Sequence, residues 1–337
     1  DYVNEFKTPT LFVVSQMDHD KANFDNTLEQ AISRFGSKVL PVQYPLNSGK
    51  EFNTIIDALR MVMYVFGPNG GKPENHPIPD SEIARAKEMH NALVEAAAEN
   101  EEGLMEKYFD QGTLSEEELT TGLRIALANQ QVFPVFCCSA QQDKGSGRIM
   151  GFINDIAPSP ADVPPYKLSD GHTKTYDASA PASIFIYKTI SEPQVGLVSY
   201  FKVYSGKVKG GDELINVSND THERISQIFE SEGKVRTPVD ELQAGDIGVA
   251  LKLKNSHTNE TLHAKNAKVE IDPIHFPEPR IRTAVVPPSK ADMEKLIKAL
   301  HQIEEEDPTL IVEQNATLKQ TIIHGQGQLH LDLIKYR

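Results

Sequence analysis

Cysteine is scarce in this chain. Its 337 residues contain two cysteines, Cys137 and Cys138, which are adjacent. Both stand at the end of an apolar stretch with strand character, where neighbouring side chains point to opposite faces. We therefore expect no disulfide bond between them. Reduced thiols are typical of cytosolic proteins, and the sequence predicts a cytoplasmic location.

Long hydrophobic runs are also missing. No stretch approaches the roughly 18 apolar residues that would suggest a membrane-spanning helix, and no signal peptide opens the chain. We therefore predict no membrane partner. Apolar residues make up 39% of the sequence and charged residues 24%, as in ordinary soluble domains. A chain of this length has room for two or three domains with buried cores.

Basic residues are fewer than acidic ones, and most of the excess negative charge lies in one segment. The net charge is −14, and residues 73–120 hold 13 acidic and 3 basic side chains, a net charge of −10. An acidic block on a nearly neutral body argues against a general nucleic-acid coat protein, which would be basic. The block is either a solvated helical face that its charge keeps soluble or a surface that docks another protein.

Two apolar stretches in the first half end in short polar loops. Residues 10–14 are typical of a buried strand, and the loop Ser15-Gln-Met-Asp18 follows them. Residues 132–138 are also typical of a strand, and Ser139-Ala140 follow. The loops are therefore candidate functional segments, since loops on a rigid scaffold often carry binding residues.

Helical patterns fill much of the remaining first half. Apolar residues at helical spacing predict a helix over residues 22–35, which Gly36 ends, and another near residues 148–156. Ser115-Glu-Glu-Glu118 is a capping-box pattern that predicts the start of a helix in the acidic block. The alternation of strands and helices predicts an α/β domain with a helical insert.

The composition changes in the second half. Residues 158–180 are rich in Pro, Ser and Asp and indicate a linker. Short β-rich runs between turn signals over residues 182–253 predict a closed antiparallel barrel. The last part follows the order strand, helix, strand, strand, helix, with Ser289 as the cap of its first helix, which predicts an open ferredoxin-like unit. The predicted fold class is a multidomain chain of α/β, all-β and α+β parts.

Seven motifs along the chain occur together in one order. This order and spacing resemble translation elongation factor G over essentially all 337 residues, and the helical insert resembles the G-prime subdomain, which smaller translational GTPases lack. The motifs are residues 14–24, residues 139–145, residues 158–165, Val203-Tyr-Ser-Gly206, Ala244-Gly-Asp-Ile-Gly248, Glu304-Glu-Glu-Asp-Pro308 and Gly325-Gln-Gly-Gln-Leu-His-Leu331.

The resemblance implies a division into three domains. Residues 1–168 would be a partial P-loop GTPase-type α/β domain with a G-prime-like insert at about residues 37–131. Residues 169–279 would be a translation-factor β-barrel, and residues 280–337 an incomplete ferredoxin-like domain.

The resemblance also implies a guanine-base site. In the family, a carboxylate at the position of Asp18 accepts hydrogen bonds from guanine N1–H and from the exocyclic amine, while Asn and Lys stand at the positions of Ser15 and Gln16. Each lost contact costs about 1–3 kcal/mol, or about one to two decades of affinity. The site either works with compensation or has decayed to weak binding. Its implied cofactor-binding residues are Ser15, Gln16, Met17, Asp18, Ser139 and Ala140.

The phosphate side of such a site is missing. A Gly-x-x-x-x-Gly-Lys-Ser/Thr loop cradles phosphates with backbone N–H groups and a lysine, and no such motif occurs in the 337 residues. The chain also starts at Asp1, without Met. We therefore expect a middle piece of a longer protein that binds GTP or GDP with Mg²⁺. We predict no catalytic residue in this chain, and no cofactor on it alone.

The resemblance implies the ribosome as partner and tRNA–mRNA translocation as function. The barrel and the third domain would contact small-subunit rRNA and proteins, and the acidic insert would approach the large-subunit stalk. Two alternatives stay open: a ribosome-binding paralogue with weak or lost GTP dependence, and a ribosomal-protection factor.

His324 and His330 lie close together in sequence and raise the possibility of a metal site. No cysteine or carboxylate accompanies them at a spacing typical of metal ligands. We therefore expect structural or solvent-facing histidines and predict no metal site.

Overall fold

The structure, a computed structural model, describes residues 2–287 and 289–336. It divides into two compact units, the first ending at Val163 and the second beginning at Pro164. The first unit mixes helices with short sheets, and the second is mostly antiparallel strand. The predicted change from α/β to β-rich structure is confirmed.

The first unit contains most of the helices described in the chain. Strands and helices alternate at both of its ends, while three helices follow one another in the middle. In chain order the elements are α1 (Tyr2–Glu5), β1 (Phe12–Val14), α2 (Phe24–Phe35), β2 (Val39–Pro41), β3 (Gln43–Pro45), β4 (Thr54–Asp57), β5 (Val62–Val65), β6 (Glu74–His76), α3 (Asp80–Ala98), α4 (Glu102–Gln111), α5 (Glu116–Ala128), β7 (Phe133–Cys137) and α6 (Ser146–Ile156).

A three-stranded parallel sheet carries the two polar loops. β7 lies in its centre, with β1 on one side and β2 on the other. The helix α2 joins β1 to β2, and Gly36 ends it with a φ of 84° and an amide that donates to Ile32 O, as predicted. A parallel connection of this kind needs a crossover element, which α2 supplies.

The insert has its own sheet and three helices. β3, β4, β5 and β6 form an antiparallel sheet in sequence order, and α3, α4 and α5 follow it. The predicted insert begins at about residue 37, but residues 39–41 pair with β7 in the parallel sheet. These residues therefore belong to the α/β body, and the insert sheet starts with β3.

The start of α5 and its crossing with α3 both follow from the sequence. Ser115 Oγ accepts from Glu118 N–H, and the Glu118 carboxylate accepts from Ser115 N–H at 3.0 Å, which confirms the capping box. At Gly122 on α5 a Cβ atom would lie 2.5 Å from the Ala97 carbonyl oxygen on α3. Glycine therefore permits the close approach of the two helices.

Two hydrophobic clusters hold the first unit together. One contains Met17 of the first polar loop together with Tyr44 and Phe52 of the insert. The other joins β7 to α6 through Phe136 and Phe152, whose rings meet edge to face with centroids 4.8 Å apart. The insert and the loop-bearing sheet therefore share one apolar core.

The second unit consists of many short strands and two helices. In chain order the elements are β8 (Tyr166–Lys167), β9 (Thr173–Lys174), β10 (Ser183–Glu192), β11 (Gly196–Ser205), β12 (Lys207–Lys209), β13 (Glu213–Asn216), β14 (His222–Arg224), β15 (Ile228–Glu232), β16 (Val235–Val239), β17 (Glu241–Gln243), β18 (Ile247–Leu251), β19 (Glu260–His263), β20 (Ile281–Val285), α7 (Met293–Glu306), β21 (Ile311–Asn315), β22 (Gln320–Gly325) and α8 (Gln328–Tyr336).

Eight of these strands form one antiparallel sheet in the order β14-β13-β19-β10-β11-β18-β15-β16. Leu214 of β13 and Ile228 of β15 are distant in this order but share one buried cluster, as they would in a sheet that curls into a barrel. Tyr166 and Leu168 pack with Phe185 of β10, so they lie with the barrel although residue 168 is the predicted end of the preceding domain.

The last elements form an open α+β unit. Its sheet has the order β20-β22-β21, and all neighbours are antiparallel. Leu300 of α7 and Leu331 of α8 lie in its core. The predicted Ser289 cap is wrong in detail. The Ser289 hydroxyl donates to the Asp292 carboxylate at 2.7 Å, and α7 begins after a 3₁₀ turn with Asp292 as its N-cap.

Candidate functional site: two loops at neighbouring parallel strands

The two polar loops lie side by side in the first unit. Val14 of β1 pairs with Cys137 of β7, and the loops leave the sheet at these carboxyl ends. The Cys138 amide donates to Val14 O at 3.0 Å, and the Met17 amide donates to Cys138 O at 3.2 Å. The carboxyl edge of an open α/β sheet is where ligands bind, so the sequence and the topology indicate the same place. We call residues 15–18 and 138–145 the base loops.

The four predicted residues of the first base loop have different environments. The side chains of Ser15 and Gln16 are exposed, and that of Asp18 is half-buried. Gln16 has a φ of 59°, in the left-handed region. Met17 is 1% exposed and packs in the core. Its side chain therefore anchors the loop, and only its backbone is available at the loop surface.

The second base loop is closed by its own backbone. Ser139 and Lys144 exchange two hydrogen bonds, of 2.9 and 3.0 Å. Ser139 is buried and its Oγ accepts from the Gln142 amide at 3.3 Å, while Ala140 is exposed between them. The Ser-Ala pair is therefore held in a fixed turn with Ala140 at its tip.

A series of side-chain contacts links the two loops. Gln142 Nε2 lies 3.5 Å from the Asp18 carboxylate, and Gln142 Oε1 accepts from Lys144 Nζ at 2.8 Å. Lys144 Nζ also donates to the carbonyl oxygen of Phe52, in the insert, at 2.8 Å. Sequence analysis missed both Gln142 and Lys144. The signal was a lysine within a loop that follows a fully apolar strand.

The insert braces both loops through its backbone as well. The Gly49 amide donates to Met17 O at 2.8 Å, and the Gly71 amide donates to Asp143 O at 2.8 Å. Gly70 has a φ of 68°, and a Cβ atom there would lie 2.0 Å from Gln142 O. No larger residue fits at Gly70 without moving the second base loop.

A buried ion pair ties the insert to the helix after the second base loop. Arg148 Nε lies 2.5 Å from Asp57 Oδ2, with the two side chains 8% and 0% exposed. The other oxygen of Asp57 accepts from the Arg60 amide at 2.9 Å. Gln43 lies next to this pair, with Nε2 3.5 Å from Asp57 Oδ2. The sequence analysis did not identify this cluster.

Cys137 and Cys138 are buried and free. Burial raises the pKa of the Cys137 thiol well above its usual value. Burial also raises the pKa of Cys138, which lies beside the first base loop. A thiol with a raised pKa is a poor nucleophile, so neither cysteine has the character of a catalytic residue.

The two histidines of the last unit each have a carboxylate partner. His324 Nε2 lies 2.9 Å from Glu313, and His330 Nε2 lies 2.9 Å from Asp307. The sequence analysis found no carboxylate for them because both partners come from elements further back in the chain. Among the described residues, no group of three or more His, Cys, Asp or Glu side chains could hold a metal ion.

The resemblance implies a guanine nucleotide, and the base loops fit the base in part. The contact from Gln142 to Asp18 is long for a hydrogen bond, so the half-buried carboxylate keeps lone pairs for the N–H groups of a base edge. Ser15 and Gln16 offer short or neutral side chains where the family has Asn and Lys. The base loops therefore offer a guanine edge one acceptor, the Asp18 carboxylate, and few other polar side chains around it.

Comparison with known protein families identifies the second unit. A family model described as Elongation factor G domain 2 matches residues 181–265, and one described as Elongation Factor G, domain III matches residues 276–337. The chain is elongation factor G-like. Its barrel is similar to the second domain of that family, and the unit from β20 to α8 is similar to the third.

A solved structure is similar over both units. It is the crystal structure of a protein from Thermus thermophilus, with a TM-score of 0.84 and 25% sequence identity. The match covers 99% of this chain and 48% of that one. The chain therefore spans about half the length of this solved protein. Separately, none of the helices in the described ranges is both long and apolar enough to cross a membrane.

Proposed function

We propose that the protein acts on the ribosome in GTP-dependent movement of tRNA and mRNA. The observation that carries the proposal is the combination of two matched elongation factor G domains with a pair of base loops on adjacent parallel strands. Binding guanine nucleotide with Mg²⁺ needs a phosphate loop, which these 337 residues do not contain. We therefore propose that the catalytic groups lie outside these 337 residues and that the protein acts in the cytoplasm.

Within this proposal, Asp18 reads the guanine edge. A carboxylate that accepts two hydrogen bonds from a base is among the stronger polar contacts. Ala140, exposed at the tip of its turn, offers its backbone to the other side of the base. Positioning and charge stabilisation, rather than covalent chemistry, drive phosphoryl transfer to water. The contribution of this chain is the recognition of the base.

The barrel and the third domain are the proposed contacts to the small ribosomal subunit, and the acidic insert is the proposed contact to the large-subunit stalk. The two domains form direct hydrogen bonds: the Ser191 amide on β10 donates to Glu306 at 2.8 Å, and Gln302 donates to the Ser191 hydroxyl at 2.8 Å. The insert should approach protein rather than rRNA, because its negative charge repels phosphate.

Association with ribosomes at two salt concentrations tests the docking proposal. Replacing the exposed Glu116 and Glu117 with Gln should slow association at low salt and matter less at high salt, because screening shortens the reach of charge. Glu118 stays, since it closes the α5 cap and pairs with Lys107. The matched control, Glu5→Gln with Glu29→Gln, removes two exposed charges outside the block. Equal association rates for all proteins at both salt concentrations would contradict the docking proposal and favour the alternative, that the acidic block is a solvated helical face.

A second candidate is a ribosome-binding factor with weak or lost dependence on GTP. The observation in its favour is the first base loop, where Ser15 and Gln16 replace Asn and Lys and Gln142 already faces Asp18. Guanine would compete with Gln142 for this carboxylate. Ribosome binding by the longer protein that is equal with GTP, with GDP and without nucleotide would favour this candidate over the first.

A further inference from the structure

Lys144 is a charged residue in an apolar place. It is 6% exposed, and burial of an ammonium group is costly unless it is hydrogen-bonded. Its nitrogen has two acceptors, the carbonyl oxygen of Phe52 and the amide oxygen of Gln142, each at 2.8 Å. Both acceptors are neutral, so the ammonium serves as a hydrogen-bond donor to fixed groups rather than as half of an ion pair.

These contacts join three segments that are distant in sequence. The backbone of Lys144 closes the second base loop against Ser139, and its side chain attaches that loop to Phe52 in the insert. Through Gln142 it reaches Asp18 in the first base loop. One buried side chain therefore connects both base loops with the insert.

The ammonium also decides which way the Gln142 amide points. An ammonium group only donates hydrogen bonds, so its partner must be the amide oxygen. The amide nitrogen, a donor, then faces the Asp18 carboxylate. Without Lys144 the amide could rotate, and Asp18 would lose its oriented neighbour.

We propose that Lys144 is a positioning residue of the base site, which holds the second base loop against the insert and, through Gln142, sets the donor that faces Asp18. The role in base recognition rests on the proposed function. If Asp18 binds guanine, the base must displace the Gln142 amide from the Asp18 carboxylate or bind beside it. Lys144, which orients this amide, then controls how accessible the carboxylate is to the base. The geometric part of the proposal can be tested without nucleotide.

Hydrogen exchange of the full chain, followed by mass spectrometry, supplies the test. Lys144→Met keeps the length of the side chain and removes the donor. We expect amide exchange in residues 138–145 and 17–19 to rise about tenfold, because two hydrogen bonds that restrain the loops are lost. Exchange in β4 and in the barrel should stay unchanged. The matched control is Lys50→Met, since Lys50 lies in the same region with a side chain that is 81% exposed.

Gln142→Leu separates the two links. It keeps the Lys144–Phe52 bond, so exchange should rise in residues 17–19 more than in residues 138–145. In the double variant, Gln142→Leu should add little to the rise in amide exchange that Lys144→Met alone causes in residues 17–19, because both changes interrupt the same series of contacts. If Lys144→Met does not fold, Gln142→Leu alone still decides the link to Asp18.

Two results would overturn the proposal. One is unchanged exchange in both base loops of Lys144→Met, or in residues 17–19 of Gln142→Leu. The other is a uniform rise across the whole first unit, which would mean that Lys144 only stabilises the fold. Failure of the ribosome-association experiment would count against the proposed function and leave the exchange result untouched, so the two failures are distinguishable.

Discussion

The ion pair between Asp57 and Arg148 offers a quantitative test of how the insert holds the α/β body. Both side chains lie inside the first unit, 0% and 8% exposed, with Arg148 Nε 2.5 Å from Asp57 Oδ2. Removing one partner of a buried pair leaves an uncompensated charge and costs about 3–5 kcal/mol. Asp57→Asn keeps the shape and an acceptor for the Arg60 amide. We therefore expect Asp57→Asn to lower the free energy of unfolding of the first unit by about 3 kcal/mol, the lower end of this range.

The cysteines make the measurement specific to the first unit. Cys137 and Cys138 are buried and free, and they are the only cysteines in the sequence. Labelling of the thiols in urea therefore reports unfolding of the first unit and not of the second. With a urea dependence of about 2 kcal/mol/M, a loss of about 3 kcal/mol moves the midpoint down by about 1.5 M.

An exposed pair next to the buried one provides the control. Arg60 and Asp155 lie 3.1 Å apart with side chains 45% and 42% exposed, and such pairs contribute about 0–1 kcal/mol. Asp155→Asn should shift the midpoint by less than about 0.5 M. A midpoint for Asp57→Asn no lower than that for Asp155→Asn would refute the reasoning. Adding Arg148→Met to Asp57→Asn should recover stability, because it removes the uncompensated charge.

Three further predictions follow from the base loops and the insert. The chain should show no GTP hydrolysis above a buffer control and little GTP affinity, because it has no phosphate loop; turnover in carefully purified protein would contradict this. In the longer protein, Ser15→Asn with Gln16→Lys should tighten GTP binding by about one or more decades in calorimetry, and unchanged affinity would show that other contacts limit it. The Lys107 hydrogen bond lowers the pKa of Glu118 from 4.5 to about 2, so its stabilising contribution is complete above pH 4.5 and is lost as pH falls towards 2. In acid titrations, the difference in stability between the wild type and Glu118→Gln should therefore be constant above pH 4.5 and shrink as pH falls towards 2; a difference that does not change with pH would contradict this.

Local signals in the sequence predicted much of the fold. The Ser115–Glu118 capping box and the stop at Gly36 are confirmed because each depends on residues a few positions apart. The Ser289 cap was wrong because a 3₁₀ turn intervenes before α7. Near the predicted start of the insert, at about residue 37, residues 39–41 join the parallel sheet by pairing with β7 about 94 residues away, and no local signal indicates this pairing.

The candidate site was predictable only where it follows a strand. Ser139 stands directly after an apolar run and Asp18 lies in the short loop that follows another, and parallel pairing brings the ends of such runs together. Nothing local to Lys144 or Arg148 indicates their partners, Phe52 and Asp57, which lie 92 and 91 positions away. A lysine in the loop that follows an apolar strand, and an arginine in the first turn of an apolar helix, were the available signals for buried contacts.

The positions of Ser15 and Gln16 explain how the proposed base site could bind weakly in a well-formed fold. Ser15 and Gln16 are exposed, whereas Met17, between them and Asp18, lies in the core that the insert shares. The loop is held by Met17, by the amide of Gly49 and by the contacts of Lys144, none of which uses the side chains at positions 15 and 16. Under the proposed function, Ser and Gln in place of Asn and Lys would remove contacts to a base and leave these three supports of the loop unchanged. Affinity and structure are separable here, so an intact loop by itself is no measure of nucleotide dependence.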